Sequence, residues 1–312
     1  MRVGQNPAKA IDHVPKPAQV TVAVITYIPF LIGYYAHSLE VLRACLGSLW
    51  ESTDPPSDLM VFDNASCPEV RAFLTQAHER KRIQYLVLSD KNIGKGGAWN
   101  FIFQSAPGEF IAYADSDTRF FPGWLKSSLE ILEAYPKAGM VTARPMRTPE
   151  AFYSSTLEWA QSEPGVTVET GTFISWEVYR QHVASLGTSE EQARQWYESR
   201  QDWRLTYHGV GALIGAAHFQ FTARKSTLAK FLPFEMDRPM GQVRFLDEQI
   251  NQAGYLRLTT CEPLVIHMGN QLPGNGAALA APLTPRKRLV DTAPIRKPLL
   301  WLYDAIFRLY HQ

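Results

Sequence analysis

Between residues 20 and 145, short apolar runs of strand length alternate with stretches whose apolar positions recur every three or four residues. Val20 to Thr26 is β-branched and apolar on both faces apart from Thr21, the pattern of a central parallel strand. A helix is predicted after Ser38, a good N-cap, with Leu39, Leu42, Leu46 and Leu49 on one face. Leu59 to Phe62 reads as a second strand, and Pro68 suits the first turn of a helix whose apolar stripe is Val70, Phe73, Leu74 and Ala77. Ile83 to Leu88 is a third strand and Gly97 to Gln104 a short helix. The apolar run Phe110 to Ala114 is a fourth, buried strand, and Pro122 opens a helix with Leu125, Leu129 and Leu132 inward. Met140 to Ala143 is a fifth strand. Such alternation predicts an α/β protein with a mostly parallel central sheet, flanked by helices on right-handed crossovers.

After residue 145 the rhythm breaks. Residues 150 to 210 are rich in Trp, Tyr, Glu and Arg, with Trp159, Trp176, Trp196 and Trp203 spread through them. These rings suit either the lining of a binding site or a second hydrophobic core. Ala216 to Arg224, Leu256 to Thr260 and Leu264 to His267 read as further strands, with a helix from Ser226. The expected organisation is an arm at 1–18, a first half at 19–145, a second, mixed half of the same domain at 146–270, and a tail at 271–312. Residues 271 to 285 are a Gly/Ala/Pro-rich linker. Beyond it, Leu299, Leu302, Ile306 and Leu309 line one stripe of a helix preceded by Arg286-Lys287-Arg288 and Arg296-Lys297. That helix suits peripheral contact with an anionic membrane, or packing against its own domain or a second copy in a homodimer.

Composition narrows the class. The chain has 312 residues, 46% hydrophobic and 12% aromatic, enough for an ordinary core. A net charge of +1 argues against a general nucleic-acid binder. Cys45, Cys67 and Cys261 have no paired spacing, as in a reducing cytoplasm. Residues 1 to 19 lack the apolar core of a signal peptide, and no apolar run reaches the roughly 18 residues of a membrane span. A cytoplasmic protein is expected, free or at the inner face of the cell membrane.

Candidate chemistry gathers where strands end. The fourth strand stops in Asp115-Ser116-Asp117. Continued extension would point both carboxylates the same way, roughly 5–6 Å apart. At an effective dielectric near 20 they would repel by about 3 kcal/mol. A divalent cation carrying a phosphate-bearing substrate would relieve that, and a solvated acidic turn is the plainer alternative. Thr26 and Tyr27 follow the first strand. Asp63 ends the second, placed to accept from a nucleobase or to start a turn with Asn64. The third runs into Asn92-Ile93-Gly94-Lys95-Gly96-Gly97, a glycine-rich loop whose amides and Lys95 suit an anion, although it is not a Walker A sequence. Asp247-Glu248 offers either a general base at a helix start or an acidic first turn. His267 is either structural or a further ligand to a cation at Asp117.

Taken in order, several segments resemble glycosyltransferase family 2, of the GT-A fold. They are Val24-Ile25-Thr26-Tyr27, Phe62 to Ser66, Asn92 to Asn100, Tyr113 to Thr118 with Pro122-Gly123-Trp124-Leu125, Leu246-Asp247-Glu248-Gln249 with Gly254-Tyr255, and Val265 to Gly269. The resemblance spans residues 20 to 270. It implies that Thr26, Asp63 and Asn92 contact the nucleoside of a nucleotide-diphosphate sugar. Asp115 and Asp117 would hold the sugar diphosphate, Asp117 through manganese or magnesium, with His267 completing the metal site. Asp247 would deprotonate a glycan or lipid-linked acceptor, giving inversion by direct displacement. The sequence departs from the family at Leu246, where an acidic residue is common, and in the short interval from Asp247 to Gly254, which makes Glu248 a rival base. Ile28 to Tyr35 also lengthens the first loop. A sugar-phosphate nucleotidyltransferase would need a glycine-rich loop where Thr26-Tyr27-Ile28-Pro29 stands, and an Asp-x-Asp phosphatase would need Thr or Val where Arg119 sits. A catalytically silent carbohydrate-binding protein on the same fold is compatible with Leu246.

Overall fold

All seven residues of Val20–Thr26 (β1) are buried, because this strand is packed on both faces. Val20, Val22 and Val24 face one core, and Ala23 and Ile25 face another, the period of two that a pleated strand imposes. The computed structural model describes residues 3–235 and 243–272. After β1 come α1 (Ser38–Ser52), β2 (Ser57–Asn64), α2 (Pro68–Glu79), β3 (Tyr85–Ser89) and α3 (Gly94–Ser105). The chain continues through β4 (Phe110–Asp115), β5 (Thr118–Phe120), α4 (Trp124–Ala134) and β6 (Ala138–Thr142). Next are α5 (Ser154–Ser162), β7 (Thr167–Gly171), α6 (Trp176–Ser185), α7 (Glu190–Glu198), β8 (Asp202–Tyr207) and β9 (Val210–Ile214). Then follow β10 (Gln220–Arg224), α8 (Lys225–Leu228), α9 (Val243–Gln252), β11 (Leu256–Thr259) and β12 (Val265–His267).

Ten strands form one sheet in the order β3-β2-β1-β4-β10-β6-β11-β9-β8-β7. The β3-β2-β1-β4 half is parallel, as the alternation predicts. The chain steps outward from β1 to β3, then returns to the far side of β1 for β4. That reversal opens a crevice beyond the carboxyl ends of β1 and β4, where Ile25 is in register with Asp115. The other half is mixed: β10 is antiparallel to β4 and β6, β11 is parallel to β6, and β9, β8 and β7 form an antiparallel meander.

Two expectations need correcting. Ser38 is the first residue inside α1, not its cap; His37 holds the cap position without a side-chain hydrogen bond. Gly94 to Gly97 are not a loop, because α3 begins at Gly94 and includes Lys95. Residues 150 to 210 are ordered secondary structure, in which Trp159 is a core anchor packed against Tyr135 and Tyr207. Their short elements escape a periodicity reading. Strand β5, three residues long, escapes for the same reason. The linker and amphipathic helix expected at 271–312 lie outside the described residues, apart from 271 and 272.

Helix α3 is fixed to the sheet by Trp99. Its buried indole lies 5.3 Å from the Tyr113 ring, 5.4 Å from Phe234 and 6.1 Å from Phe221. Trp99→Ala should therefore cost about 3–5 kcal/mol of stability, read as a lower urea midpoint at unchanged slope. A loss below about 1 kcal/mol would show that the helix is held by other means.

Candidate active site at the β1–β4 crevice

The two carboxylates at the end of β4 are compensated separately. Tyr113 and Asp115 share one face of the strand, and the Tyr113 hydroxyl donates to Asp115 Oδ1 at 2.5 Å. Lys95, the second residue of α3, places Nζ 2.6 Å from Asp115 Oδ1 and 2.8 Å from Oδ2. Burial, then the charge of Asp115, pushes the Tyr113 phenol far up, so it stays a donor. Lys95 is thus committed to Asp115. The extended Asp115–Asp117 geometry expected from sequence does not occur, because the chain turns at Ser116 and Asp117 before β5 begins.

That turn sends Asp117 toward the end of the chain. Strand β12 pairs antiparallel with β5, setting His267 opposite Thr118, and the Met268 amide donates to the Asp117 carbonyl at 2.7 Å. His267 Nε2 consequently lies 3.1 Å from Asp117 Oδ2, while Nδ1 meets Ser185 Oγ at 2.9 Å. Asp117 Oδ1 is buried and has no hydrogen-bond partner among the described residues. An orphaned carboxylate oxygen beside an imidazole nitrogen is a donor set that suits manganese or magnesium. Such ions are commonly held by one or two protein ligands, the remaining positions going to water and substrate phosphates. Among the described residues no cluster of three such side chains forms, so the protein would supply two ligands.

The residues expected from sequence to meet a nucleoside form a braced wall. Thr26 is buried with Oγ1 unpartnered among the described residues. Tyr27, half-buried, has its phenol pushed up by burial, partly offset by a hydrogen bond with Asn92. Asn92 Oδ1 accepts from Asn64 Nδ2 and from the Gly94 amide, both at 2.9 Å. Gly94 has φ +71°, which glycine adopts without a Cβ clash. Asp63 is fully buried: it accepts from the Ser66 amide at 3.2 Å and pairs with Arg71 Nε at 3.1 Å. Its turn-forming reading is the one seen, and Ser66 Oγ in turn accepts from the Ile28 amide at 2.9 Å, anchoring the long first loop.

Asp247 lies in the middle of α9 and is buried, not exposed at a helix start. Oδ1 accepts from Arg257 at 2.5 Å, and Oδ2 meets His218 Nδ1 at 3.0 Å. Burial lowers the Arg257 titration and Asp247 opposes that. Glu248 is exposed on the outer side of the same helix. Leu246 is fully buried core, so that position does not face the crevice. His218 joins the site through its neighbour: the Asp115 amide donates to the Phe219 carbonyl at 2.7 Å.

Sequence reasoning missed His218, His182, Tyr113, Arg257 and Arg71. Only His218 left a legible signal, an imidazole after the small residues Gly215-Ala216-Ala217 and just before a strand. His182 stacks on Phe219 at 5.4 Å and is held neutral, pushed down to about 3 by burial and then by Arg144 and the neighbouring histidines.

Farther along the sheet, a cavity of about 610 Å³ is lined by Arg147, Thr148, Tyr153, Arg200, Trp203 and Ile214, among others. Its wall is braced by Asp202, which takes Arg147 Nε at 2.6 Å and the Phe173 and Ile174 amides at 2.9 Å. It shares no lining residue with the Asp115–Asp117 turn.

A family model, Glycosyl transferase family 2, matches residues 31–202, more than half of the chain. The chain belongs to that family, and its α/β architecture agrees with the GT-A fold. An uncharacterized glycosyltransferase of a Nostoc species is 26% identical over 114 residues, covering 36% of this chain and 35% of that protein. Among solved structures, a Staphylococcus aureus TarS fragment is similar at 15% identity and a TM-score of 0.44, covering 80% of this chain and 59% of that one. The Pyrobaculum calidifontis mannosyltransferase PcManGT, solved with GDP-Man and Mn²⁺, is similar at 18% identity and a TM-score of 0.46, covering 81% and 57%. Among the described residues no helix is long and apolar enough to cross a membrane.

Burial would lower the His267 titration, but the hydrogen bond and charge of Asp117, with Asp115, outweigh it and raise the group above its ordinary 6.5. In metal-free protein this pair therefore adds stability that is complete below 6.5 and is lost as pH rises through the raised value. Melting curves in chelator should show wild type exceeding Asp117→Asn most at acid pH, with the gap closing above neutrality. A gap that widens with pH would contradict the pairing.

Proposed function

We propose that this protein transfers a sugar from a nucleoside-diphosphate sugar to an acceptor hydroxyl, inverting the anomeric centre by direct displacement. The observation that carries the reading is the Asp117–His267 pair at the β1–β4 crevice, with one buried carboxylate oxygen left over. The nucleoside lies along Thr26 and Tyr27, its base against the wall built by Asp63, Asn92 and Gly94. Asp115 and Ser116 meet the sugar–diphosphate end, and Lys95 keeps Asp115 compensated throughout. Asp117 and His267 would hold manganese or magnesium, which when bound would supply positive charge to offset that growing on the departing diphosphate. On the acceptor side, Asp247 is the carboxylate behind proton removal, anchored by Arg257.

The acceptor, a glycan or a lipid-linked sugar, lies toward the cavity lined by Tyr153 and Trp203, whose rings suit sugar faces. Ile214 of that lining ends β9, and the chain runs from it directly into His218. The tail residues Leu299, Leu302 and Ile306 belong to sequence outside the described residues, and a membrane or homodimer role for that segment is proposed from sequence pattern alone.

A hydrolysis screen of nucleotide sugars with manganese, including the UDP-GlcNAc and GDP-Man bound by the solved neighbours, should find one donor that is consumed. Asp117→Ala should then lose at least about a hundredfold in turnover with the fold intact. Asp247→Asn should keep donor affinity while turnover falls about 10²–10⁴-fold. Silence across the whole panel, or near-normal turnover by Asp117→Ala, would refute the assignment.

A further inference from the structure

Asp247 has no open face from which to take a proton. Its side chain is 5% exposed, and each oxygen is already engaged, one by Arg257 and one by His218. Arg257 is itself fixed, donating to the carbonyls of Ala216 and Phe152 at 2.9 Å each. An acceptor hydroxyl cannot reach that carboxylate without dismantling a buried ion pair, which is strongly destabilising.

His218 differs on each count. Its side chain is 37% exposed, and its backbone neighbour Phe219 is bonded to Asp115, so the residue follows on from the end of β4 that borders the crevice. An ionised carboxylate only accepts hydrogen bonds, so the ring nitrogen facing Asp247 carries the proton. The basic lone pair is thereby placed on Nε2, for which no partner occurs among the described residues. A carboxylate fixing an imidazole tautomer is the arrangement by which histidine is oriented as a general base.

From this geometry we infer that His218 takes the proton of the acceptor hydroxyl, and that Asp247 is the positioning residue that holds its ring. The inference rests on the glycosyltransferase reading. In the step, the acceptor oxygen bonds to the anomeric carbon as that carbon's bond to the diphosphate oxygen breaks. The bonding pair leaves with the nucleoside diphosphate, and the hydroxyl proton passes to His218 Nε2. After product departure that proton is released to water. The charged or titratable groups around the ring are Asp247 of α9, Arg257 of β11 and His182 of α6. His182 stays neutral near physiological pH, so Asp247 is the carboxylate the imidazolium faces.

The test uses the full chain, manganese and the donor found in the nucleotide-sugar screen, with water as acceptor. His218→Asn can keep a donor to Asp247 but has no basic nitrogen. It should bind nucleoside diphosphate within about threefold of wild type yet hydrolyse donor about 10²–10⁴-fold more slowly. His218→Ala should recover turnover on addition of substituted imidazoles, faster for the more basic ones, a response that a packing role would not produce. Hydrolysis by His218→Asn above about a tenth of the wild-type rate, or an azole-independent His218→Ala, overturns the role of His218 alone. A wild type that consumes no nucleotide sugar overturns the glycosyltransferase reading and this inference with it.

Discussion

Two carboxylates that leave a buried strand two residues apart cannot stay uncompensated, and this protein gives each its own positive partner. Asp115 is met from α3 by Lys95, and Asp117 from β12 by His267. The rest of the crevice follows from that division. Splitting the pair requires the turn at Ser116–Asp117. The turn launches β5, and β5 pairs with β12, the strand that brings His267 back from far along the chain. A single shared cation would have required neither. The division leaves one oxygen of Asp117 buried and unpartnered, which is costly unless a ligand completes it.

The same rule shapes the mixed half of the sheet. Arg257 and Arg147 are buried guanidiniums, and each is matched to a buried carboxylate, Asp247 and Asp202. Breaking such a pair costs far more than the pair contributes, so each holds its surroundings in one arrangement. Arg257 ties α9 to the 214–218 segment through Asp247 and Ala216. Asp202 ties the 173–174 loop to β8 and Arg147. Both pairs therefore hold their surroundings rigid, and His218 sits on a segment fixed to β4 through the Phe219 carbonyl.

The parallel half of the sheet was legible because β1, β2 and β4 are buried on both faces and its helices carry clear stripes, as at Val70, Leu74 and Ala77 of α2. The strand ends at Thr26, Asp63 and Asp115 were legible for the same reason. What sequence could not show was where each side chain's partner comes from. Lys95 read as a phosphate ligand because nothing local reveals that Asp115 lies within 3 Å of it. Asp247 read as an exposed base because its partner Arg257 is ten residues on, in another element. His218 fell inside the strand predicted from Ala216 to Arg224, which in fact begins at Gln220, and its meaning depends on a contact with Asp247 that only the fold creates.

The most direct measurement is anomalous diffraction at the manganese edge from a crystal grown with a nucleoside diphosphate. The account predicts one metal peak bonded to Asp117 and His267 and to pyrophosphate oxygens, with Lys95 still on Asp115. A pyrophosphate bound away from the β1–β4 crevice, or a metal held by Asp115 with Lys95 displaced, would contradict it.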